Sequence, residues 1–181
     1  MAEAPAVVPE RARRASGPIF RRGTTADVPG FRALGEAVVP PTYGPIDAAY
    51  AQRMLDEWWV PERFEASLAV NTHLVAECDG QVVAMAAFGL LSRSHREFPH
   101  VTGDREVMWK LYVHPDHHGR GIGSRLLAEV EDLVEGDELW LEVVDGNQQA
   151  FAFYAAHGFA EAERIGDRAW PDDVWMVKRL R

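Results

Sequence analysis

Leu111-Tyr112-Val113-His114-Pro115-Asp116-His117-His118-Gly119-Arg120-Gly121-Ile122-Gly123-Ser124 carries a strand into a helix, and the fold turns on this passage. Upstream, Arg105 to Val113 alternates: Val107, Trp109, Leu111 and Val113 share one face, and Met108, Lys110 and Tyr112 the other, as expected of a strand with one dry and one mixed face. Downstream, Ile122, Leu126, Leu127, Val130, Leu133 and Val134 form a helical stripe that Gly136-Asp137 is expected to end. In the turn, Gly119, Gly121 and Gly123 occupy alternate positions, so backbone N–H groups converge with no side chain in the way. Such a turn is a natural anion cradle, although tight strand-to-helix packing selects glycine as well. Two common phosphate motifs fail here. A P-loop needs Lys where Ser124 stands, and a dinucleotide fingerprint needs Gly or Ala at Leu126.

Working outward, Leu74 to Cys78 and Gln81 to Leu90 read as strands joined by Asp79-Gly80, a strong two-residue hairpin signal. Before them, Ile19 to Arg22 reads as a first strand, and Thr24 to Asp27 offers capping side chains for a helix through Phe31, Leu34 and Val38 that Pro40-Pro41 should terminate. Tyr50, Met54, Leu55 and Trp58 fall at helical spacing, and a further short helix follows Pro61. Ser92 to Asp104 reads as a long polar loop. Past the central helix, Leu139 to Val144 is a short strand, Asp145-Gly146-Asn147 caps a helix carrying Phe151 and Tyr154, and Gly158 suits its left-handed end. Strands over Phe159 to Ile165 and Val174 to Lys178 finish the chain. The fold class expected is α/β (α+β), helices around a single sheet.

A chain of 181 residues has room for one such unit, here 18–181, preceded by an Ala-, Pro- and Arg-rich arm over 1–17. With 47% apolar and 26% charged residues it is an ordinary globular chain, not a disordered or collagen-like one. One cysteine, Cys78, excludes a disulfide framework, and its apolar strand suggests a buried inert thiol. No apolar run reaches the ~20 residues of a membrane span, and the start lacks a secretory apolar core, so the cytoplasm is the expected compartment and no membrane partner is expected. The net charge is −9, with +3 in residues 1–22 and −12 beyond, a body that repels a phosphate backbone. Nucleic acid is therefore not an expected partner. His114, His117 and His118 cluster without a carboxylate or Cys at zinc-like spacing, so no metal is expected.

The turn resembles the acetyl-CoA motif of the GCN5-related N-acetyltransferases (GNAT family): Gln or Arg, two residues, Gly, one residue, Gly or Ala. Here it is spelled His118-Gly119-Arg120-Gly121-Ile122-Gly123, with His118 in place of the usual first residue. A second family element follows at the expected distance in Leu139-Trp140-Leu141-Glu142-Val143-Val144, Asn147, Ala150, Phe153-Tyr154 and Gly158-Phe159. Its Leu139 to Val144 spelling is especially close to the branch that acetylates the N-terminal alanine of a ribosomal protein. The likeness is good over residues 72–181 and only general over 19–71. It implies a GNAT-like acyl-CoA acyltransferase fold: a single mixed, mostly antiparallel sheet whose central strands are splayed by a β-bulge. It also implies a coenzyme site at Leu111, Tyr112, Val113, His118, Gly119, Arg120, Gly121, Ile122, Gly123, Ser124, Asn147 and Tyr154. In it the backbone of Leu111 to Val113 pairs with the pantetheine arm, the turn from Gly119 to Ser124 receives the pyrophosphate, and an N–H near Val113 polarises the thioester. Arg120 and Arg125 could add charge at the rim.

By the same resemblance Tyr154 is the acid that protonates the leaving thiolate, although alone it would read as a core aromatic. Glu142, the only ionisable residue between Leu139 and Val144, is the candidate base; a salt-bridged strand residue is the plainer reading, and Glu106 or a water held by His114 are the other candidates. Trp58 and Trp59 read as core or as acceptor-pocket walls. The function implied is acetyl transfer from the co-substrate acetyl-CoA to a small-molecule or peptide amine by direct attack in a ternary complex. A non-catalytic acyl-CoA-binding module is the alternative, and a homodimer is the assembly left open. The segment from Asp27 to Glu65, net −4, suggests a cationic acceptor approaching that face.

Overall fold

The computed structural model describes residues 17–93, 104–166 and 170–181. The expected arm falls outside them but for Gly17, and so does the polar loop apart from its ends, where Ser92 donates from N and Oγ to Asp104. Strand β1 (Ile19–Arg22) is followed by helices α1 (Val28–Tyr43), α2 (Ala48–Arg53) and α3 (Pro61–Val70). The hairpin β2 (Thr72–Cys78) and β3 (Gln81–Leu90) turns at Asp79 and Gly80, both at positive φ, as a two-residue turn of this type demands. Then come β4 (Glu106–Val113), α4 (Ile122–Leu133), β5 (Glu138–Val144), α5 (Gln148–Ala156), β6 (Ala160–Ile165) and β7 (Asp173–Arg179).

The seven strands make one sheet in the order β1-β2-β3-β4-β5-β7-β6, and every neighbouring pair but β4–β5 is antiparallel. The parallel ladder between β4 and β5 joins Glu106, Val107 and Met108 to Leu139, Trp140 and Leu141, and no pairing continues past them. The two central strands therefore diverge towards their C-terminal ends. Helices α4 and α5 cover one face with Ile122, Leu126, Leu127, Val130 and Tyr154 over Met108, Leu139 and Leu141. Helices α1 to α3, with Trp59 in the link between α2 and α3, cover the other, placing Phe31, Leu34, Val39, Trp59 and Phe64 over Val75, Met85 and Ala87. Burying two apolar layers against one sheet is what fixes its position between the helices.

Three readings of the sequence are corrected. Helix α1 does not end at Pro40-Pro41 but continues to Tyr43. Val38, Val39 and Tyr43 are buried and hold the last turns down, while both prolines sit on the exposed side. The faces of β4 are not the simple alternation expected: Ala87 pairs with Lys110 and Phe88 with Met108, so Trp109 is an extra residue in the ladder. This bulge shifts the phase, which puts Met108 in one cluster with Leu111 and Val113, while Val107 and Trp109 pack around Trp175. Helix α4 stops at Leu133, three residues before Gly136; Leu133 is 40% exposed, and the stripe closes on Val134.

Candidate active site

Divergence of β4 from β5 opens a cavity of about 520 Å³ between the two strands, bounded by the turn before α4, the start of α5 and the end of α1. Its floor is the second half of β4. On one side Leu111, Tyr112 and Val113 are paired with Ala86, Met85 and Ala84 of β3, whereas their other backbone edge faces the cavity, because β5 has already left the ladder. An unpaired strand edge is a template for an extended ligand carrying amides.

At the end of that edge lies the glycine turn. Pro115–His117 forms one 3-10 turn, and the ring Nε2 of His118 donates to the Val113 carbonyl at 2.8 Å, fastening the loop to the strand end. The His114 amide donates to Val83 O at 2.8 Å and fastens it a second time. Gly119 and Gly121 have φ of +71° and +76°, a left-handed conformation that explains both glycines. Gly121 then caps α4, whose first turn, Ile122, Gly123 and Ser124, lines the cavity. The N–H groups of a first helical turn have no intrahelical acceptor, and the helix dipole adds to their pull on an anion. Arg120 is exposed and does not line the cavity, nor does Arg125, which pairs with Glu129 at 2.8 Å.

The opposite wall is Glu142 and Val143 of β5 with Asn147, Ala150, Phe153 and Tyr154. Asn147 caps α5, its Oδ1 accepting from Ala150 N at 3.1 Å. Tyr154 is 8% exposed between the rings of Phe153 and Phe159, and burial pushes its hydroxyl pKa well above the usual range for a phenol. Two further tyrosines meet in the cavity: the hydroxyls of Tyr43 and Tyr112 lie 2.9 Å apart. Burial pushes Tyr43 up to about 12 and Tyr112 well above the usual range for a phenol, so both stay neutral at physiological pH. The side chains of Tyr43 and Tyr112 were not foreseen. Tyr43 was hidden by the expectation that α1 ends at Pro40, and Tyr112 was read for its backbone alone.

Other candidates lie elsewhere. Glu106 is at the opposite end of β4, where Oε2 accepts from Gly136 N at 2.6 Å beside a separate groove, so it is not a base for this cavity. Trp59 is fully buried against Phe64 and Tyr112 and is core, while Trp58 is half-buried against Tyr50. Cys78 is a free, half-buried thiol. Of the acidic groups between Asp27 and Glu65, Asp27 is buried on Arg21 at 2.6 Å, while Glu36 and Glu57 pair at the surface with Arg32 at 2.8 Å and Arg53 at 2.9 Å.

The model of the acetyltransferase (GNAT) family matches residues 34–159, from within α1 to the end of α5 and so across the whole cavity. The chain belongs to this family. Among its relatives, the N-alpha-acetyltransferase RimI of Mycobacterium tuberculosis is 34% identical over 140 residues, which span 71% of this chain and 82% of that protein. The L-amino acid N-acyltransferase MnaT of Escherichia coli is 32% identical over 126 residues, 65% of this chain and 70% of that protein. In fold, this GNAT chain is similar to the PaiA N-acetyltransferase of Thermoplasma acidophilum in complex with coenzyme A, with a TM-score of 0.73 and 19% identity over 91% of this chain and 99% of that one.

Proposed function

We propose that this GNAT protein transfers the acetyl group of acetyl-CoA to a primary α-amine, either a free amino acid or a peptide N-terminus. One arrangement carries the proposal: the open edge of β4 leads straight into the glycine turn, and Glu142 and Tyr154 line the same cavity. The pantetheine amides pair with Leu111, Tyr112 and Val113 as an added strand, and the pyrophosphate rests on the first turn of α4. Glu142 takes the proton of the incoming ammonium, directly or through water, and the free amine attacks the thioester carbonyl. As the tetrahedral adduct collapses, the C–S bond breaks and Tyr154 gives its proton to the sulfur, while the second proton of the attacking nitrogen, shed as the amide forms, returns to the phenolate through water. Burial keeps the Tyr154 hydroxyl protonated, so a proton is present when the C–S bond breaks. The choice of an α-amine is supported by what the RimI and MnaT relatives are named for.

A thiol-release assay with acetyl-CoA tests this. Free amino acids and short peptides with open N-termini are expected to release CoA, and the same peptides blocked at the N-terminus are not. Tight coenzyme binding with no thiol release from any amine would instead make the protein a non-catalytic acyl-CoA-binding module.

A further inference from the structure

Ser124, in the first turn of α4, does not stand alone. Its Oγ lies 3.0 Å from Nε2 of His157, the residue that follows α5, and the other ring nitrogen, Nδ1, lies 2.7 Å from the carbonyl of Phe153. A carbonyl only accepts, so Nδ1 carries a hydrogen. In the neutral ring Nε2 is then an acceptor, and Ser124 must spend its O–H on the histidine. The lone pairs of Oγ are left to face whatever enters the cavity, an unfavourable disposition towards a phosphate. In the charged ring Nε2–H donates to Oγ instead, and the Ser124 O–H is released to donate into the cavity that Ser124 lines.

We propose that His157 is a positioning residue that sets the hydrogen-bonding direction of Ser124, so that the coenzyme pyrophosphate binds with uptake of a proton. This rests on the coenzyme site proposed above. The ring is held in place by its own stack on Phe153, 4.3 Å between centroids. Lys178 of β7 passes beside Gly158 and is paired with Glu131 of α4 at 2.7 Å. Arg125 is paired with Glu129 and lies over Phe20, while His114, His117 and His118 belong to the 3-10 turn after β4 and Arg120 to the glycine turn that follows it. Those three histidines could also gain protons when an anion binds, so the test must isolate the share that passes through Ser124. Affinity is expected to fall about tenfold with rising pH, the usual scale for one charge-assisted hydrogen bond.

The probe is dephospho-CoA, which keeps the pyrophosphate but lacks the titrating 3′-phosphate. Calorimetric titrations near neutral pH in two buffers of different ionisation enthalpy give the number of protons taken up. Wild type is expected to take up a fraction of a proton that is smaller or absent in Ser124→Ala and His157→Gln, with the pH dependence of affinity flattened in both. Ser124→Ala replaces a half-buried helical residue by the best helix former, so its fold is retained. Uptake in Ser124→Ala equal to that of wild type, or none in wild type, overturns the proposal while leaving the coenzyme site standing. Absence of any binding heat removes the site and the proposal together.

Discussion

In the proposed reaction Tyr154 gives a proton late and Glu142 takes one early, and the two roles separate experimentally. For Tyr154→Phe the ring and its contacts with Phe153 and Phe159 remain, so coenzyme affinity should change little while kcat falls by roughly 10²–10⁴, the range for a positioned acid. Steady-state kinetics with the best acceptor decides, and an unchanged kcat would make Tyr154 a packing residue. Glu142→Gln keeps the shape of the side chain and removes its charge. The acidic limb of the kcat/KM profile should disappear with it, and a limb identical to that of wild type would hand the proton to the amine or to water. Glu142 was legible as a candidate because it is the single ionisable residue between Leu139 and Val144. That Glu106 is no alternative was not legible, since only the parallel register shows that it lies at the closed end of the splay.

Among the elements, α1 brings Val38, Pro41, Thr42 and Tyr43 to the cavity wall, and it is held there by one close approach. A Cβ built on Gly35 would sit inside the indole of Trp59, a ring that is fully buried and also edge-on to Tyr112 at 5.0 Å. Arg32 reinforces the contact by donating to Leu55 O at 2.7 Å and Trp59 O at 3.0 Å. Gly35→Ala gains helix propensity of at most about 1 kcal/mol and meets an overpacking cost of about 1–3 kcal/mol. The expected net result is a Tm lowered by a few degrees, read by calorimetry; a Tm equal to or above that of wild type would mean that Trp59 can move aside freely. The strand-to-helix turn was readable because glycines at positive φ and a periodic stripe leave direct marks in sequence. The family resemblance implied a bulge in the central strands, but its place at Trp109 leaves no such mark, because one extra residue in a ladder is fixed by its partner strand and not by its own side chain. The two prolines misled for a related reason: tertiary burial of Val38, Val39 and Tyr43 outweighs a local helix-breaking signal.

For the molecule as a whole, the buried His73 links stability to pH. It is 2% exposed, Nε2 bonds Ser67 Oγ at 2.9 Å, and burial with Lys110 nearby pushes its pKa down from 6.5 to about 4. The unfolded chain therefore binds this proton first, and stability falls as pH drops below 6.5 and levels off near 4. Between about pH 7.5 and 5 the loss from this one group is about 2 kcal/mol. Urea unfolding should show it in wild type and show a flatter curve in His73→Asn. Equal slopes would contradict a neutral buried ring. Asp27 does not confuse the window: the Arg21 guanidinium holds its carboxyl below 3.8, so its contribution is lost only at more acid pH.

At this scale the fold was legible from two motifs and the order of strands and helices, whereas the cavity was not, because it is made by where pairing stops. The central claim is that the coenzyme takes the place of the missing pairing. A crystal structure of the complex with acetyl-CoA tests it most directly. The pantetheine amides are predicted to hydrogen-bond the free edge of Leu111, Tyr112 and Val113, the pyrophosphate to sit on the N–H groups of Ile122, Gly123 and Ser124, and the sulfur to face Tyr154. Coenzyme bound anywhere else, such as in the groove beside Gly136 and Glu106, with β4 left uncovered, would contradict it.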